Sequence, residues 1–445
     1  MATTNYYLDY GTGNDFAGSS FTDGAYTAAT KRLVKAGAFA KSKVNHWLKL
    51  ADNGSGKITS GYYRVASVIS NDEVELAAAP AAVDVTDVAC VQHDGSAAKA
   101  WRSIQGALDL VTRNTTDGDR FNIKAGTKQV LSAPLTLATF GTPTGAARLI
   151  LQGYTSTIRD GGMAEIDAGG NTMWSAVLNQ NTTHIDLEIH SFGNNNGISS
   201  NYLYFHNCNI HKGSSSPSGK TLVALGGDSM IINCYIHDAG TNGNGCGGIT
   251  SGYNSVFYNC PGEGIGGFKI RNNLVIDCGV TDFTRRGIRV IGSNAEVINN
   301  TVYSSTPARG YGIGYHSSGY TYQTVMNNLV VGYSGSGGVG INFENPNGKF
   351  LIFGNNAVYN CETAYKWDTN YLLDYGNNLV LAADPFIDAA NGNFALKPGS
   401  PAVGAAFNSS WFMFPTTTNK LNIGAVQSGG GGGGHPFFGD RTGGK

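Results

Sequence analysis

The sequence predicts an all-β chain, most of it wound as a β-solenoid. A repeated asparagine corner, apolar columns at fixed distances from it, and a helix-poor composition carry that prediction. The corner recurs at Asn207-Cys208, Asn233-Cys234, Asn272-Asn273, Asn299-Asn300, Asn327-Asn328, Asn355-Asn356 and Asn377-Asn378, with first members 26, 39, 27, 28, 28 and 22 residues apart. Two residues before each first Asn sit Phe205, Ile231, Ile270, Val297, Val325, Phe353 and Tyr375. Three residues after it sit Ile210, Ile236, Val275, Val302, Val330, Val358 and Val380. Glycine is 63 of 445 residues and charged residues are 14%, so tight bends are many and exposed Glu/Lys-type helices few.

Each part of a coil follows from these columns. Period-2 alternation turns both of them inward, with one short strand on each side of the corner. Asparagine tolerates the left-handed backbone a sharp corner needs, and its amide can bond the Asn one coil above. A repeat of this length suits coils that bury their apolar faces against one another. A third strand follows a glycine: Gly248-Ile249, Gly287-Ile288-Arg289-Val290, Gly312-Ile313-Gly314-Tyr315 and Gly340-Ile341-Asn342-Phe343. The 39-residue interval is too long for one coil. Asn259-Cys260, with Phe257 upstream, fits a partial coil there, whereas Pro261-Gly-Glu-Gly264 in place of a strand fits a loop.

Outside the coils, residues 1–30 read as a polar lead-in, and 31–99 as a small antiparallel β insert. The insert's strands are Trp47-Leu-Lys-Leu, Tyr62 to Ile69 and Glu73-Val-Glu-Leu, with turn residues between them. Residues 101–113 read as a helix, with Trp101, Ile104, Ala107, Leu108 and Val111 on one apolar face to plug the coil. Residues 428–445 are a tail of six glycines followed by His435-Pro-Phe-Phe. A free glycine run is disordered, so Phe437 and Phe438 are expected to anchor this tail on a neighbour.

The Asn-Asn-x-Val and Gly-Ile-x-Val patterns resemble the right-handed parallel β-helix repeats of the pectate-lyase-like superfamily. The helix at 101, the strand at Gly118–Gly126, and the segments Phe394–Pro401 and Leu421–Val426 resemble that family's opening and closing parts. In the family an Asp commonly precedes Ile-Gly-Ala, and here the residue is Asn422. The resemblance covers about 100–427 and implies a right-handed parallel β-helix. It implies little about activity, because lyases, hydrolases, epimerases and inert spikes share this architecture.

Net charge is −1, with 30 cationic against 31 anionic residues, which argues against a nucleic-acid partner. No apolar run is long enough for a membrane span, and the amino-terminal stretch has no export-signal pattern. The groove beside the Gly-Ile strands is the candidate catalytic face. Arg289 points outward there, His316 and Glu344 occupy the next outward column, and Asp277 and Asp282 lie on the approaching loop. A lyase would use Arg289 as base, and a hydrolase would pair Glu344 with Asp282 or Asp277. Tyr303, Tyr320, Tyr322, Tyr359, Tyr365 and Trp367 are candidate platforms for sugar rings. His211 and His237 share one column, but beyond Asp238 and His206 no third ligand is at hand, so no metal or other cofactor is expected. His184-Ile-Asp-Leu-Glu-Ile-His190 reads as a solvated strand, with Ile185, Leu187 and Ile189 inside. Cys208 and Cys234, with Cys260 beside them, are expected in one ladder and Cys278 with Cys361 in another, all reduced.

The expected function is a non-enzymatic structural and recognition protein of a phage virion surface: a decoration, spike or fibre. Its expected partners are other virion proteins or its own copies in a trimer, and polysaccharide on its β-helix face. A polysaccharide lyase or glycoside hydrolase and an extracellular cell-surface adhesin are the alternatives.

Overall fold

The computed structural model describes residues 4–8, 20–43, 46–52, 57–90, 102–137, 143, 147–174, 181–193, 197–211, 221–239, 244–281, 284–315, 321–344, 349–367, 372–407 and 422–426. The chain is a right-handed parallel β-helix with a small antiparallel barrel. Its contacts divide it into residues 1–169 with 173–188, and 170–172 with 189–445.

In the first unit the barrel closes in the order Phe21–Thr27, Arg32–Val34, Glu73–Leu76, Gly61–Ser70, Trp47–Asp52 and Val85–Cys90. Tyr26, Leu33, Phe39, Leu48, Val65 and Val88 form its core. The lead-in expected over 1–30 is therefore divided. Phe21–Thr27 pairs with Arg32–Val34 and belongs to the barrel, and Thr4–Leu8 runs parallel beside Asp119–Lys124. Phe21, Gly24 and Tyr26 are buried on this strand, but the register shifts between them break the period-2 alternation that would have marked a strand in the sequence. The helix is shorter than expected, Ile104–Leu110, because the Ser103 side chain caps it by accepting from Gly106 N and Val111 is already extended. His46 and Lys43 of the barrel hold Asp109 of this helix at 3.1 and 3.2 Å.

One reading fails in this unit. Asp186 is left-handed (φ 54°), so it is itself a corner and alternation does not run through it. His184 is consequently buried against the Trp174 ring, and Ile185 is only half-buried.

The second unit shows the repeat most plainly. One coil is Arg286–Val290, Ala295–Ile298 and Thr301–Tyr303, and each strand has a parallel partner in the next coil. At the glycine strands two consecutive residues face inward. A Cβ on Gly287 would lie 2.6 Å from Val302 Cγ1, and Ile288 is fully buried. The outward residues on either side, Arg286 and Arg289, therefore flank a bend. At the asparagine corners the first residue is left-handed throughout, from Asn207 (φ 53°) to Asn377 (φ 54°). The second forms the ladder: Asn273 Nδ2 donates to Asn300 Oδ1 at 3.1 Å, Asn300 to Asn328 at 3.0 Å, Asn328 to Asn356 at 3.0 Å and Asn356 to Asn378 at 3.3 Å.

The long interval holds a complete coil. Its corner is Asn254-Ser255, with Ser255 N bonded to Asn273 Oδ1, and Val256–Tyr258 pairs with the strands on both sides. Phe257 thus follows the corner, aligned with Ile236 and Val275. Cys260 then adjoins Cys278 at the next corner, away from Cys208 and Cys234. Glu263–Gly267 is the glycine strand of this region, and Cys246 rather than Ile249 pairs with Ile265.

Twelve of the fourteen column residues are buried. The exceptions, Tyr375 and Val380, are 53% and 69% exposed because they belong to the last coil. The outer face of the post-corner sheet is also apolar, at Leu274, Ile276, Leu329, Val331 and Ala357. The C-terminal segment covers it through Leu381, Phe386, Phe394, Leu396 and Ile423. Asn422 is buried and accepts from Gly404 N, so it anchors this cover.

Candidate functional site

Two faces of the second unit gather chemistry. The first is the groove at the bend of the glycine strands. Glu263 pairs in register with Arg286, and Arg286 with Tyr311. Gly266, Arg289, Gly314 and Asn342 form the neighbouring outward column. Glu263 is only 3% exposed, with Arg289 at 3.1 Å and Arg286 at 3.7 Å. Burial pushes its carboxyl above the usual glutamate range, against the pull of Arg289, Arg286 and Arg285. Gly314 leaves room for Arg286, since a Cβ there would sit 3.1 Å from Arg286 Cγ.

The sequence-predicted catalytic set does not converge among the described residues. Arg289 is ion-paired to Glu263. Glu344 is half-exposed and pairs with Lys366 at 2.7 Å. Arg289 and Asn342 are two rungs apart, about 10 Å at the strand spacing, and Glu344 lies beyond Asn342. Asp282 and His316 lie outside the described residues, as do Tyr320, Phe437 and Phe438. Sequence reasoning missed Glu263, whose signal was a lone carboxylate in a glycine-rich apolar strand.

The second face is the outer side of the post-corner sheet, where register stacks His211, His237, Tyr258, Ile276, Tyr303, Val331 and Tyr359. Over part of this column lies a cleft of about 350 Å³. Tyr235, Tyr258, Tyr303, Asp277 and Ser305 line it, and the turn at Ala389–Gly392 forms an edge. That volume is at the lower end of small-molecule sites, about 300–1,000 Å³. Asp277 stands at a left-handed corner (φ 52°), and its Oδ1 accepts from Ser305 N at 2.7 Å and Ser305 Oγ at 2.8 Å. Burial first, then the Asp277 and Asp238 charges, push the Tyr258 phenol upward; burial, Asp277 and Asp384 do the same for Tyr303. Both phenols are therefore neutral donors and acceptors at ordinary pH.

Of the expected sugar platforms, Tyr303 lines this cleft and Tyr359 shares its column. Tyr322 is 56% exposed elsewhere. Tyr365 is instead a packing residue: its ring meets Phe353 edge-on, and its hydroxyl lies 3.0 and 2.8 Å from Asn356 O and Leu379 O. Trp367 packs on the same Phe353. Sequence reasoning missed Tyr235, just after the Asn233-Cys234 corner, and Tyr258, whose coil turns at Asn254-Ser255.

The histidine column is a ring stack. His190 lies 5.2 Å from His211, and His211 lies 4.7 Å from His237 at 8°. Rings stacked face to face cannot converge their nitrogens on one ion. Among the described residues no group of three or more His, Cys, Asp or Glu could hold a metal. In the first unit a hollow of about 380 Å³ lies beside Lys43, Asp109 and Arg113, but Asp109 is already held by Lys43, His46 and Gln105.

No protein-family model and no curated protein matches the chain. Among solved structures it is similar to the pectate lyase Pel9A, at 15% identity over 75% of this chain and 93% of that one, with a TM-score of 0.44. It is also similar to XylC in complex with xylose, at 10% identity over 84% and 71%, TM-score 0.37. A third is the catalytic unit of a GH87 alpha-1,3-glucanase from Streptomyces thermodiastaticus strain HF3-3, at 15% identity over 81% and 85%, TM-score 0.26. All three TM-scores are below 0.5, so the functional reading rests on this chain's own residues.

Proposed function

We propose that the protein is a non-catalytic recognition β-helix that binds glycan in the tyrosine cleft and serves on a virion surface. The cleft itself carries this reading: three tyrosines, a corner carboxylate and a hydroxyl converge on one concavity of the outer sheet face. Tyrosine rings offer flat apolar faces to sugar rings, and their hydroxyls take hydrogen bonds from the same ligand. The virion setting draws on sequence features: a coil carrying a separate small barrel, and a glycine run leading to Phe437 and Phe438. Other particle proteins or further copies of the chain, as a trimer, are the proposed partners.

The test is retention on immobilised polysaccharides with analysis of the eluate. Expected are retention and no release of reducing ends or unsaturated sugars; turnover of any retained glycan would overturn the non-catalytic part. The virion part predicts copurification with particles, abolished by deleting 428–445. Normal particle binding by the truncated chain would remove the tail from the proposal.

The groove favours a second reading, a polysaccharide lyase or glycoside hydrolase. Its supporting observation is the pair Arg286 and Arg289 flanking the bend beside a buried Glu263. Under that reading, Arg289→Ala abolishes a measurable glycan-cleaving activity while leaving the fold intact.

A further inference from the structure

We infer that the tyrosine cleft is selective for neutral oligosaccharides and excludes acidic ones, an inference that rests on the cleft being the glycan site. The charge around it is one-sided. Asp277 lines the cleft, and no Lys or Arg does so among the described residues. Asp238 and Asp384 also act on the cleft tyrosines. The nearby basic side chains are already engaged. The His237 ring lies 2.9 Å from Asp238 Oδ2 and 3.0 Å from Asn209 Oδ1. Lys397 Nζ donates to Asp384 O at 3.1 Å and lies 3.9 Å from its carboxylate. The arginines of the second unit's groove, Arg286 and Arg289, are set on Glu263.

A uronate, sulfated or sialylated sugar entering the cleft would bring its charge toward Asp277 and find no cation to meet it. A neutral sugar suits the same groups. Its hydroxyls can donate to Asp277 Oδ2, since Oδ1 is occupied by Ser305. Its ring can lie on Tyr258, which is 38% exposed, and its hydroxyls can exchange bonds with the Tyr258 and Tyr303 phenols.

The experiment is calorimetric titration of the full chain with two probe sets: a panel of neutral gluco-, manno-, galacto- and xylo-oligosaccharides, and oligogalacturonate. At least one neutral probe should bind, and the acidic probe should bind about tenfold more weakly or worse, as a single unscreened like charge implies. Tyr258→Ala should lower neutral binding about tenfold. Asp277→Asn, which keeps the acceptor oxygen bonded to Ser305, should narrow the gap by strengthening acidic binding. Equal or tighter binding of oligogalacturonate by the native chain would overturn the selectivity and leave the glycan reading standing. Binding of neither probe set, or binding of an oligolysine peptide in their place, would remove both. Neutral binding untouched by Tyr258→Ala would place the ligand elsewhere and end the inference.

Discussion

Asn328→Ala tests the physical basis of the coil stack. Asn328 is fully buried. Its Oδ1 accepts from Asn300 N and Asn300 Nδ2, both at 3.0 Å. Its Nδ2 donates to Val297 O at 2.8 Å, Met326 O at 3.0 Å and Asn356 Oδ1 at 3.0 Å. Alanine leaves two donors of Asn300 without that acceptor, in a place water does not reach. Each stranded buried group costs about 1–3 kcal/mol, so a loss of about 3–5 kcal/mol is expected. The control is Asn378→Ala at the end of the ladder. Asn378 is only half-buried and receives the two bonds from Asn356 at 3.1 and 3.3 Å, so water can take its place and the loss should be about 1 kcal/mol. Urea denaturation followed by circular dichroism measures both. Stacked coils need not unfold in one step, so hydrogen exchange of residues 295–331 gives a second, local readout. Equal losses for the two variants, or a loss below about 1 kcal/mol for Asn328→Ala, would refute the ladder as the source of coil stability.

Two further outcomes follow from buried ionisable groups. Because Glu263 has its carboxyl raised in the native state, the folded chain holds that proton more tightly than the unfolded chain does. Its contribution to stability therefore declines as pH rises from the ordinary glutamate range through the raised native value. Glu263→Gln should flatten the slope of melting temperature against pH in that window, whereas an unchanged slope would contradict it. Glu263→Ala should cost about 3 kcal/mol at neutral pH by leaving Arg286 and Arg289 without their counter-charge. For the thiols, Cys208, Cys234, Cys260 and Cys278 are buried and in no disulfide, and burial pushes Cys361 up to about 11. A disulfide reagent should label the native chain at least about tenfold more slowly than the urea-unfolded chain, because the thiolate is the reacting species. Rapid native labelling of Cys361 would show the last coils to be open.

The repeat was legible because the corner imposes a backbone rule as well as a packing rule. A left-handed residue favours Asn, Asp or Gly, and most of this chain's left-handed residues are of these types; its neighbours point inward, so three columns coincide. Where the coil keeps the corner but changes its letters, the reading slips. At Asn254-Ser255 a serine hydroxyl takes the ladder place and donates to Tyr253 O, so Asn259-Cys260 resembles the corner more closely than the true one does. At Asp186 an aspartate serves as the corner, and His184 was assigned to solvent when it is buried. The candidate site was legible only in part. Tyr303 was among the expected ring platforms, and Tyr258, on the coil that turns at Asn254-Ser255, was not. No local pattern revealed that Arg289 is paired, since Glu263 comes from the coil below.

The position of the cleft follows from where the cover ends. Leu-Val-Ile at 274–276 and Leu-Val-Val at 329–331 are apolar on both faces of a strand, which a solvated sheet would not tolerate. Such strands require something on their outer side, and the segment from Leu381 to Ile423 supplies it. Toward the earlier coils the same column changes from Val331 to Tyr303, Ile276, Tyr258 and His237. Most of these residues pair an apolar ring with a polar edge, as a half-covered surface demands. The turn at Ala389–Asn391 forms an edge of the cleft, and Phe394 packs against Tyr303 with ring centres 5.3 Å apart. Tyr258 is then the next large ring without such a lid. Replacing it with leucine would keep the apolar body and discard the hydroxyl, separating the sheet's need for cover from the ligand's need for a hydrogen bond. Unchanged stability with weakened neutral-glycan binding is the expected result, and loss of stability alone would make Tyr258 part of the cover.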